Sequence, residues 1–425
     1  MRVAYIGGAG KLGLPFALWS AERGHEVIIS DVNEAALEAI REGCVDCAEP
    51  QINGLVRKHR ERLTLLSDNA WATHLADLVC IITATPSTPA GQFSSQCVRA
   101  AAVDVAQGLA DTMHLGMPYI VVNVVSTVMP GEVRKIGKLI EEVSGLRLGV
   151  DFGLTHSPEF IRQGSIIDDF RRPEYIVIGE HDRQAGIVVQ SYYESLVDND
   201  PVIYHMSLES AELTKTGLNA VVVAKMALAN EIAWLCQATP GADACDVLGA
   251  IGADGRVGLR YFSAGTWPGG PCFPRDTRAF AAAGRRAGMA TPIIEQVSRA
   301  AGRELQRLAD LCETLMADYP RVGILGMAYK PGATCGESQG KALFDALVHL
   351  GSIDAHDPVL CKKDLGTFVA ECDLLVLMTC WKEYQGLHEM DLTGKCVVDM
   401  WGFFNPDLLT CDRYVRFGKG PECMI

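Results

Sequence analysis

The sequence predicts an α/β protein with two doubly wound, Rossmann-like domains and a long helix between them. Short apolar segments alternate with helical stretches over about the first 200 residues, and the alternation returns after about residue 315. This alternation is typical of parallel sheets with helices on both faces. A chain of 425 residues is long enough for two or three domains, and we expect three regions, at 1–200, 201–310 and 315–425.

Short apolar segments predict the strands of two sheets. They lie at residues 2–6, 26–30, 78–83, 119–124 and 175–178 in the first region, and at 321–327, 353–356, 374–378 and 396–400 in the third. In the second region, residues 207–237 carry apolar side chains at helical spacing. Because such a helix has more apolar surface than one small domain covers, we expect it to bridge domains and to pack against a second subunit.

Composition and charge are those of an acidic globular protein. The chain is 48% hydrophobic and has a formal net charge of -14, which argues against nucleic acid or an anionic membrane as the main partner. The N-terminus lacks the features of a signal peptide, and no apolar run reaches the roughly 18 residues of a membrane span. We therefore expect a cytoplasmic protein without a membrane partner.

The chain has 15 cysteines. In a reducing cytoplasm we expect most of them to be small buried side chains. Cys44 and Cys47 form one C-x-x-C pair, but no second pair or histidine cluster follows. The sequence therefore predicts no metal site.

A glycine pattern predicts a dinucleotide site near the N-terminus. Gly8, Gly10 and Gly13 fit G-x-G-x-x-G between a predicted strand and a helix, and Asp31 ends the next strand. The glycines let the backbone approach a pyrophosphate at the positive end of the helix. Asp31 can accept hydrogen bonds from ribose hydroxyls and would repel a 2′-phosphate, which favours NAD over NADP. The alternative is a glycine turn without a ligand.

Two polar pairs follow later strands of the same sheet. Thr85-Pro86 follows the strand at 78–83, and Ser126-Thr127 follows the strand at 119–124. Ligands of open α/β sheets bind at the carboxyl ends of strands. Each pair could instead cap a helix.

Two further segments carry candidate catalytic groups. Glu159, in Ser157-Pro158-Glu159-Phe160, could be a general base or a helix N-terminal acid favoured by the dipole. Lys215 and Asn219 share one helix face and could together hold an oxyanion. The alternative for Lys215 is a solvated surface side chain.

The segment 265–276 places Cys272 among glycines and prolines, with Arg275 and Asp276 three and four residues on. A nearby cation lowers the pKa of a thiol and makes it nucleophilic. The alternative is a turn that contains an incidental buried cysteine.

Together these segments resemble the UDP-glucose/GDP-mannose dehydrogenase family, in order and over essentially the whole chain. The matching stretches are residues 8–13, 85–86, 126–131, 157–160, 215 and 219, 230–231, 269–276 and 326–331. The resemblance implies an NAD-binding Rossmann domain at 1–200, a helical dimerisation domain at 201–310 and a UDP-sugar-binding Rossmann-like domain at 315–425. It also implies a homodimer.

The resemblance implies an NAD-dependent, four-electron oxidation of a nucleotide sugar. A primary alcohol would become an aldehyde, which Cys272 would capture as a thiohemiacetal. Oxidation to a thioester and attack by water would then release a carboxylate. The segments 157–164 and 168–170 look like those of UDP-glucose and GDP-mannose enzymes. UDP-glucose is the first choice, and GDP-mannose or an atypical sugar is the alternative.

Site residues follow from the same resemblance. Catalytic roles fall to Cys272, Lys215, Asn219, Asp276, Glu159 and Thr127. Cofactor contacts fall to Gly8, Gly10, Lys11, Leu12, Gly13, Asp31, Thr85, Pro86, Ser126, Thr127, Gln163 and Arg275. Substrate contacts fall to Phe160, Ile161, Lys215, Asn219, Arg256, Ser263, Gly265, Gly269, Tyr329 and Lys330. Arg256 is expected to reach the substrate of a neighbouring subunit.

The chain departs from the family pattern around this centre. Arg275 stands where Lys is common, Gln163 where Glu is usual, and Pro268 where an aromatic or aliphatic residue is usual. Gly336 and Trp401 stand where arginines are expected. These changes point to an atypical sugar or a specialised pathway.

Two other functions compete with this one. Two-electron 3-hydroxyacid dehydrogenases share the Lys-x-x-x-Asn helix but need neither Cys272 nor a third domain. A non-catalytic nucleotide-sugar sensor or scaffold is favoured by Gly336 and Trp401. The presence of Cys272 together with Lys215, Asn219 and Asp276 counts against it.

Overall fold

The computed structural model describes residues 1–47, 49–113, 119–162, 164–333, 335–361 and 363–421. The chain forms two compact units, Met1–Gly217 and Leu218–Ile425. The boundary between them falls within one helix, Leu208–Ala238.

The first unit alternates strands and helices from its N-terminus onward. In chain order its elements are β1 Arg2–Ile6, α1 Gly13–Glu22, β2 Glu26–Ser30, α2 Glu34–Glu42, α3 Ile52–His59, β3 Leu63–Leu66, α4 Asn69–His74, β4 Leu78–Ile81, α5 Gln96–Met113, β5 Ile120–Val124, α6 Glu132–Ser144, β6 Phe152–His156, α7 Ile166–Arg171, β7 Tyr175–Glu180, α8 Arg183–Leu196, β8 Val202–Ser207 and α9 Leu208–Ala238. A 3₁₀ turn, Arg60–Arg62, precedes β3.

These strands form one eight-stranded sheet in the order β3-β2-β1-β4-β5-β6-β7-β8. Neighbouring strands are parallel except β6 and β7. Alternate side chains of β1 enter two different apolar clusters, Val3 and Tyr5 in one, Ala4 and Ile6 in the other. A strand buried on both faces has this pattern because successive side chains point to opposite sides.

The second unit repeats the alternation on a smaller scale. After α9 its elements are α10 Ala244–Ala253, α11 Phe273–Arg286, α12 Pro292–Met316, β9 Arg321–Leu325, α13 Gln339–Leu347, β10 Ser352–His356, α14 Leu365–Glu371, β11 Leu374–Leu377, β12 Cys396–Asp399 and β13 Arg413–Arg416. Two 3₁₀ segments are Lys382–Glu389 and Pro406–Leu408. The five strands form a parallel sheet in the order β10-β9-β11-β12-β13.

The predicted fold class is confirmed, and every predicted strand is present with ends that differ by at most two residues. Four strands were not predicted: β3, β6, β8 and β13. The segment of β6, FGLTH, contains no apolar run, although the whole strand is buried. The strand β8 stands where the helical region was expected to begin, and the predicted long helix follows it as α9.

The helix α9 bears on the expectation that no apolar run is long enough to span a membrane. In the described part of the chain it is the one helix long and apolar enough, by length and composition, to cross a membrane. The same test is passed by core helices of soluble proteins, so the finding is weak evidence for a membrane span. Val221, Leu228 and Leu235 on this helix have 63%, 53% and 68% of their surface exposed.

The expectation that most cysteines are buried is wrong for the described residues. Five of the 14 described cysteines are buried, namely Cys80, Cys236, Cys312, Cys372 and Cys396. Cys272 is among the exposed ones.

Candidate active site

The glycine loop between β1 and α1 is built so that two of its glycines admit no side chain. A Cβ at Gly8 would lie 2.7 Å from the Tyr5 carbonyl oxygen, and one at Gly13 would lie 2.6 Å from the Gly7 carbonyl oxygen. Gly10 is different, because it is exposed and a Cβ there would meet only the Gly7 oxygen, at 3.3 Å. Its missing side chain leaves room for a ligand to approach the backbone.

Asp31 fixes the end of β2 against this loop. One carboxylate oxygen accepts a hydrogen bond from Ala9 N (3.1 Å), and the other accepts one from Asn33 N (3.0 Å). Each oxygen retains a lone pair, and a carboxylate only accepts, so the group suits ribose hydroxyls. The first turn of α1 contains no acidic residue, so its N-terminus remains attractive to a diphosphate. These residues fit NAD.

Two pairs of predicted cofactor residues follow neighbouring strands of the first sheet. Thr85 follows β4 and Ser126 follows β5, and these strands are neighbours. Neither pair caps a helix, because α5 begins at Gln96 and α6 has Gly131 at its N-cap. The helix-cap alternative is therefore wrong for both. The Ser126 hydroxyl donates to the Thr83 carbonyl oxygen at 2.7 Å, which ties the two loops together.

Three further cofactor candidates are Lys11, Leu12 and Gln163. Lys11 is exposed and Leu12 is partly buried, both in the turn before α1. Gln163 lies outside the described residues.

Glu159 lies in the coil that follows β6, seven residues before α7 begins at Ile166. The helix N-terminal alternative is therefore wrong. Its Oε1 accepts a hydrogen bond from the Tyr193 hydroxyl on α8 at 2.6 Å. Burial raises the pKa of Glu159 to about 7, against the opposing effects of the Tyr193 bond and the Lys215 charge. A carboxyl group with such a pKa can take up or release a proton near neutral pH.

Lys215 is half-buried on α9 rather than freely solvated. Its Nζ lies 5.1 Å from the centroid of the Phe160 ring, the residue after Glu159. Phe160 in turn packs against Tyr175, with ring centroids 5.1 Å apart. The first unit thus brings together Glu159, Phe160 and Lys215.

In the second unit, Cys272 occupies the N-cap of α11 and is exposed. The alternative of an incidental buried cysteine is therefore wrong. The positive end of a helix favours a thiolate over a thiol. The Cys272 carbonyl oxygen accepts the first intrahelical bond, from Asp276 N at 2.8 Å.

Asp276, one turn into α11, is fully buried. Its Oδ2 accepts a hydrogen bond from the Asn219 amide at 2.6 Å, and its Oδ1 accepts one from Arg275 Nε at 3.1 Å. A buried carboxylate requires such partners. The structure therefore joins three predicted site residues, Asn219, Arg275 and Asp276, in one network.

The loop that carries Cys272 lies against Tyr329 and against the first residue of α13, Gln339. A Cβ at Gly270 would lie 2.7 Å from the Tyr329 ring, and one at Gly269 would lie 2.5 Å from the Gln339 side chain. Gln339 also donates to the Trp267 carbonyl oxygen at 2.7 Å. Tyr329 was predicted to contact substrate, and its ring packs on this loop. Burial and the Cys272 charge raise the pKa of Tyr329. Gln339 was not predicted, and no local sequence signal marks it.

Gly265 is buried beneath the indole of Trp401. A Cβ at Gly265 would lie 2.4 Å from that ring, whose Nε1 donates to the Met378 carbonyl oxygen at 3.0 Å. Gly265 N donates to the side-chain oxygen of Asn230 at 3.1 Å. The Trp401 side chain thus covers a predicted substrate residue.

The remaining substrate candidates are distributed over both units. Ser263 is exposed, Ile161 is partly buried, and Lys330 Nζ lies 5.8 Å from the Tyr329 ring centroid. Arg256 is highly exposed and pairs with Asp254 at 2.5 Å. Tyr193 was not predicted for this site, because its contact with Glu159 spans 34 residues.

Comparison with known proteins identifies the family and supports the fold. The NAD-binding domain model of the UDP-glucose/GDP-mannose dehydrogenase family matches residues 1–197, and the model of its central domain matches 209–301. A UDP-glucose 6-dehydrogenase from Haloferax volcanii is 31% identical, covering 92% of this chain and 93% of that protein. A GDP-mannose 6-dehydrogenase from Pseudomonas putida is 29% identical, covering 97% of this chain and 99% of that protein.

A solved structure of a similar protein has the same fold. A UDP-glucose dehydrogenase from Pyrobaculum islandicum superimposes with a TM-score of 0.87 at 29% identity, over 98% of both chains. This chain belongs to the UDP-glucose/GDP-mannose dehydrogenase family of NAD-dependent nucleotide-sugar 6-dehydrogenases.

Proposed function

We propose that the protein oxidises the primary alcohol of a nucleotide sugar to a carboxylate, with Cys272 as the covalent nucleophile. The exposed position of Cys272 at the N-terminus of α11, one turn before buried Asp276, carries this proposal. NAD, when bound, accepts a hydride from the substrate carbon in each of two oxidations. One alcohol, one water and two NAD⁺ give one carboxylate, two NADH and three protons.

Cys272 retains the substrate between the two oxidations. Its sulfur adds to the aldehyde carbon and the carbonyl oxygen takes up a proton, which gives a tetrahedral thiohemiacetal. After the second oxidation the carbon is a thioester. Water adds to that carbon, the sulfur–carbon bond breaks, and the thiolate is regenerated. A thiol suits this sequence because it is a strong nucleophile and a good leaving group.

The other polar candidates would share the remaining tasks. Asp276 and Asn219 would orient the attacking water, and Lys215 would stabilise the developing oxyanion. Glu159 would exchange protons with the reacting oxygen, assisted by Thr127. The near-neutral pKa of Glu159 supports this role, because the group can act as a base in one step and an acid in the next.

UDP-glucose is the proposed substrate. Relatives with this activity cover most of the chain at 29–31% identity. The GDP-mannose enzymes match almost as well, at 28–30%, so GDP-mannose is the second candidate. The cytoplasmic location predicted from the sequence is part of the same proposal.

The decisive experiment measures NADH formed per sugar consumed, with UDP-glucose, GDP-mannose and N-acetylated UDP-sugars. We expect two NADH per sugar, and we expect Cys272→Ala to abolish carboxylate formation. Cys245→Ala is the matched control because Cys245 is an exposed cysteine elsewhere in the second unit. One NADH per sugar with active Cys272→Ala would favour a two-electron dehydrogenase. Tight sugar binding without turnover would favour a sensor or scaffold.

A further inference from the structure

Tyr193 makes one polar contact that the catalytic scheme does not use. Its hydroxyl lies 2.6 Å from Oε1 of Glu159 and, as a neutral phenol facing a carboxylate, donates the hydrogen bond. The residue is 5% exposed. Its ring packs against Phe16 and Tyr192, with centroid distances of 6.1 and 5.7 Å, which fixes the direction of the hydroxyl.

The groups around Glu159 come from three elements. Lys215 approaches from α9, Tyr192 and Tyr193 from α8, and Cys80 from β4. Burial raises the pKa of Cys80 to about 12 and the pKa of both tyrosines well above the usual value. These three groups are therefore neutral near pH 7. The Tyr193 hydroxyl and the Lys215 charge are the two features that favour an ionised Glu159.

The adjacent tyrosine belongs to a different network. The Tyr192 hydroxyl is bonded to Tyr5 and to Ser20, beneath the first strand of the sheet. It makes no hydrogen bond to Glu159 among the described contacts. The chain therefore offers two neighbouring buried tyrosines on one helix, of which one touches the carboxylate.

We propose that Tyr193 is a positioning residue for Glu159, which holds Oε1 in place and leaves Oε2 as the oxygen that exchanges protons. The catalytic consequence of this inference rests on the proposed function, whereas its effect on the carboxyl group does not. A donor to a carboxylate stabilises the charged form and lowers its pKa. Removal of the donor therefore raises the pKa of Glu159, and activity that requires the ionised form is lost at a higher pH.

The test compares Tyr193→Phe with Tyr192→Phe in the full-length protein. For Tyr193→Phe we expect the acidic limb of the kcat/KM profile to move up by about one pH unit, the order of magnitude of one hydrogen bond to a charged group. That shift corresponds to roughly a tenfold loss at pH 6 and almost none at pH 9. Tyr192→Phe should leave the limb in place. Glu159→Gln should remove the limb altogether.

A second measurement is independent of turnover. Carbon-13 NMR of labelled carboxyl groups, assigned with Glu159→Gln, gives the titration midpoint of Glu159 in wild type and in Tyr193→Phe. In the wild type, the ring Cζ resonance of Tyr193 should shift at the same midpoint, because its hydrogen bond changes when the carboxylate is protonated. This measurement uses the wild-type tyrosine. It therefore tests the proposal even if Tyr193→Phe does not fold.

The outcomes separate the inference from the proposed function. If Tyr193 Cζ does not follow the Glu159 titration, or if both tyrosine variants move the midpoint equally, the positioning role is wrong. If the midpoint moves only in Tyr193→Phe but no nucleotide sugar is oxidised by the wild type, the positioning role stands and the proposed function fails.

Discussion

Asp31 couples the glycine loop to the next strand, because its two carboxylate oxygens each accept a backbone N–H. The group is therefore oriented before a ligand arrives. A preoriented acceptor recognises ribose hydroxyls at low entropic cost and excludes a phosphate at the same position by charge repulsion.

Asp31→Ala should consequently weaken the preference for NAD over NADP. We expect kcat/KM with NAD to fall about 10- to 100-fold, since a hydrogen bond to a charged group is worth about 1.5–3 kcal/mol. The measurement is the ratio of kcat/KM for the two cofactors. Asn33→Ala is the control, because it removes the cap of α2 and leaves the carboxylate in place. An unchanged ratio in Asp31→Ala would show that this residue does not bind the ribose.

Single residues differ in how far the sequence predicts them. Gly8, Gly13 and Asp31 were predictable because their roles depend on a local pattern between neighbouring elements. The contacts of Gln339 with Trp267 and of Trp401 with Gly265 join residues 72 and 136 positions apart. Such contacts arise from tertiary packing, and no local pattern encodes them.

At the scale of elements, α9 and α12 are joined by a buried polar contact. Asn230 on α9 donates to Glu304 Oε2 on α12 at 2.6 Å, and Oε1 of Glu304 is buried without a hydrogen-bond partner. Burial raises the pKa of Glu304 to about 7, although Asn230 and Arg307 oppose this. The same Asn230 accepts the bond from Gly265 N. The pair therefore connects two helices to a loop of the site.

From the buried pair of Asn230 and Glu304 we expect the stability of the protein to depend on pH. The folded protein binds the Glu304 proton more tightly than the unfolded chain, whose pKa is near 4.5. The free energy of unfolding should therefore fall as pH rises from about 4.5 to 7. Glu304→Gln removes this loss because its side chain does not titrate. The free energy of unfolding of the variant, relative to that of wild type, should therefore rise by about 1–3 kcal/mol between pH 5 and pH 8.

Urea unfolding at pH 5, 6.5 and 8 measures this difference. Glu313→Gln is the matched control, because Glu313 is exposed on the same helix. If the stability difference between Glu304→Gln and wild type is the same at every pH, Glu304 does not change its proton affinity on folding.

The strands show which elements the sequence can predict. β4 is apolar over its whole length, and β1 and β5 contain one polar residue each, because the sheet is covered on both faces. β3 and β13 have four residues each, and three residues of each are only half-buried. Such short, half-buried edge strands are specified by pairing with a neighbour, which a single segment does not reveal.

At the scale of the whole molecule, α9 carries apolar side chains that the chain leaves uncovered. Val221, Leu228 and Leu235 recur every seven residues, which is the spacing of a helix seam that packs against another helix. We propose that a second copy of the chain covers this seam, as the sequence predicts. Arg256, which is exposed and pairs with Asp254, would then have to leave Asp254 to reach the substrate of the neighbouring subunit.

Leu228→Lys should weaken this dimer, because a charge would be buried in the seam. Analytical ultracentrifugation should show a dimer for wild type and a shift toward monomer, with at least a tenfold higher dissociation constant, for the variant. Ile187→Lys is the control, because Ile187 is an exposed apolar residue on α8. A wild-type protein that sediments as a monomer would contradict the proposal.

The contact of Trp401 with Gly265 also constrains how this protein can change. Any side chain at position 265 collides with the indole, whereas a smaller residue at position 401 removes that obstacle. A lineage that starts from this sequence can therefore replace Trp401 first and Gly265 second, but the reverse order passes through an overpacked intermediate. Substrate preference at this part of the site would then evolve by an ordered pair of substitutions, and relatives with a larger residue at position 265 should lack a tryptophan at position 401.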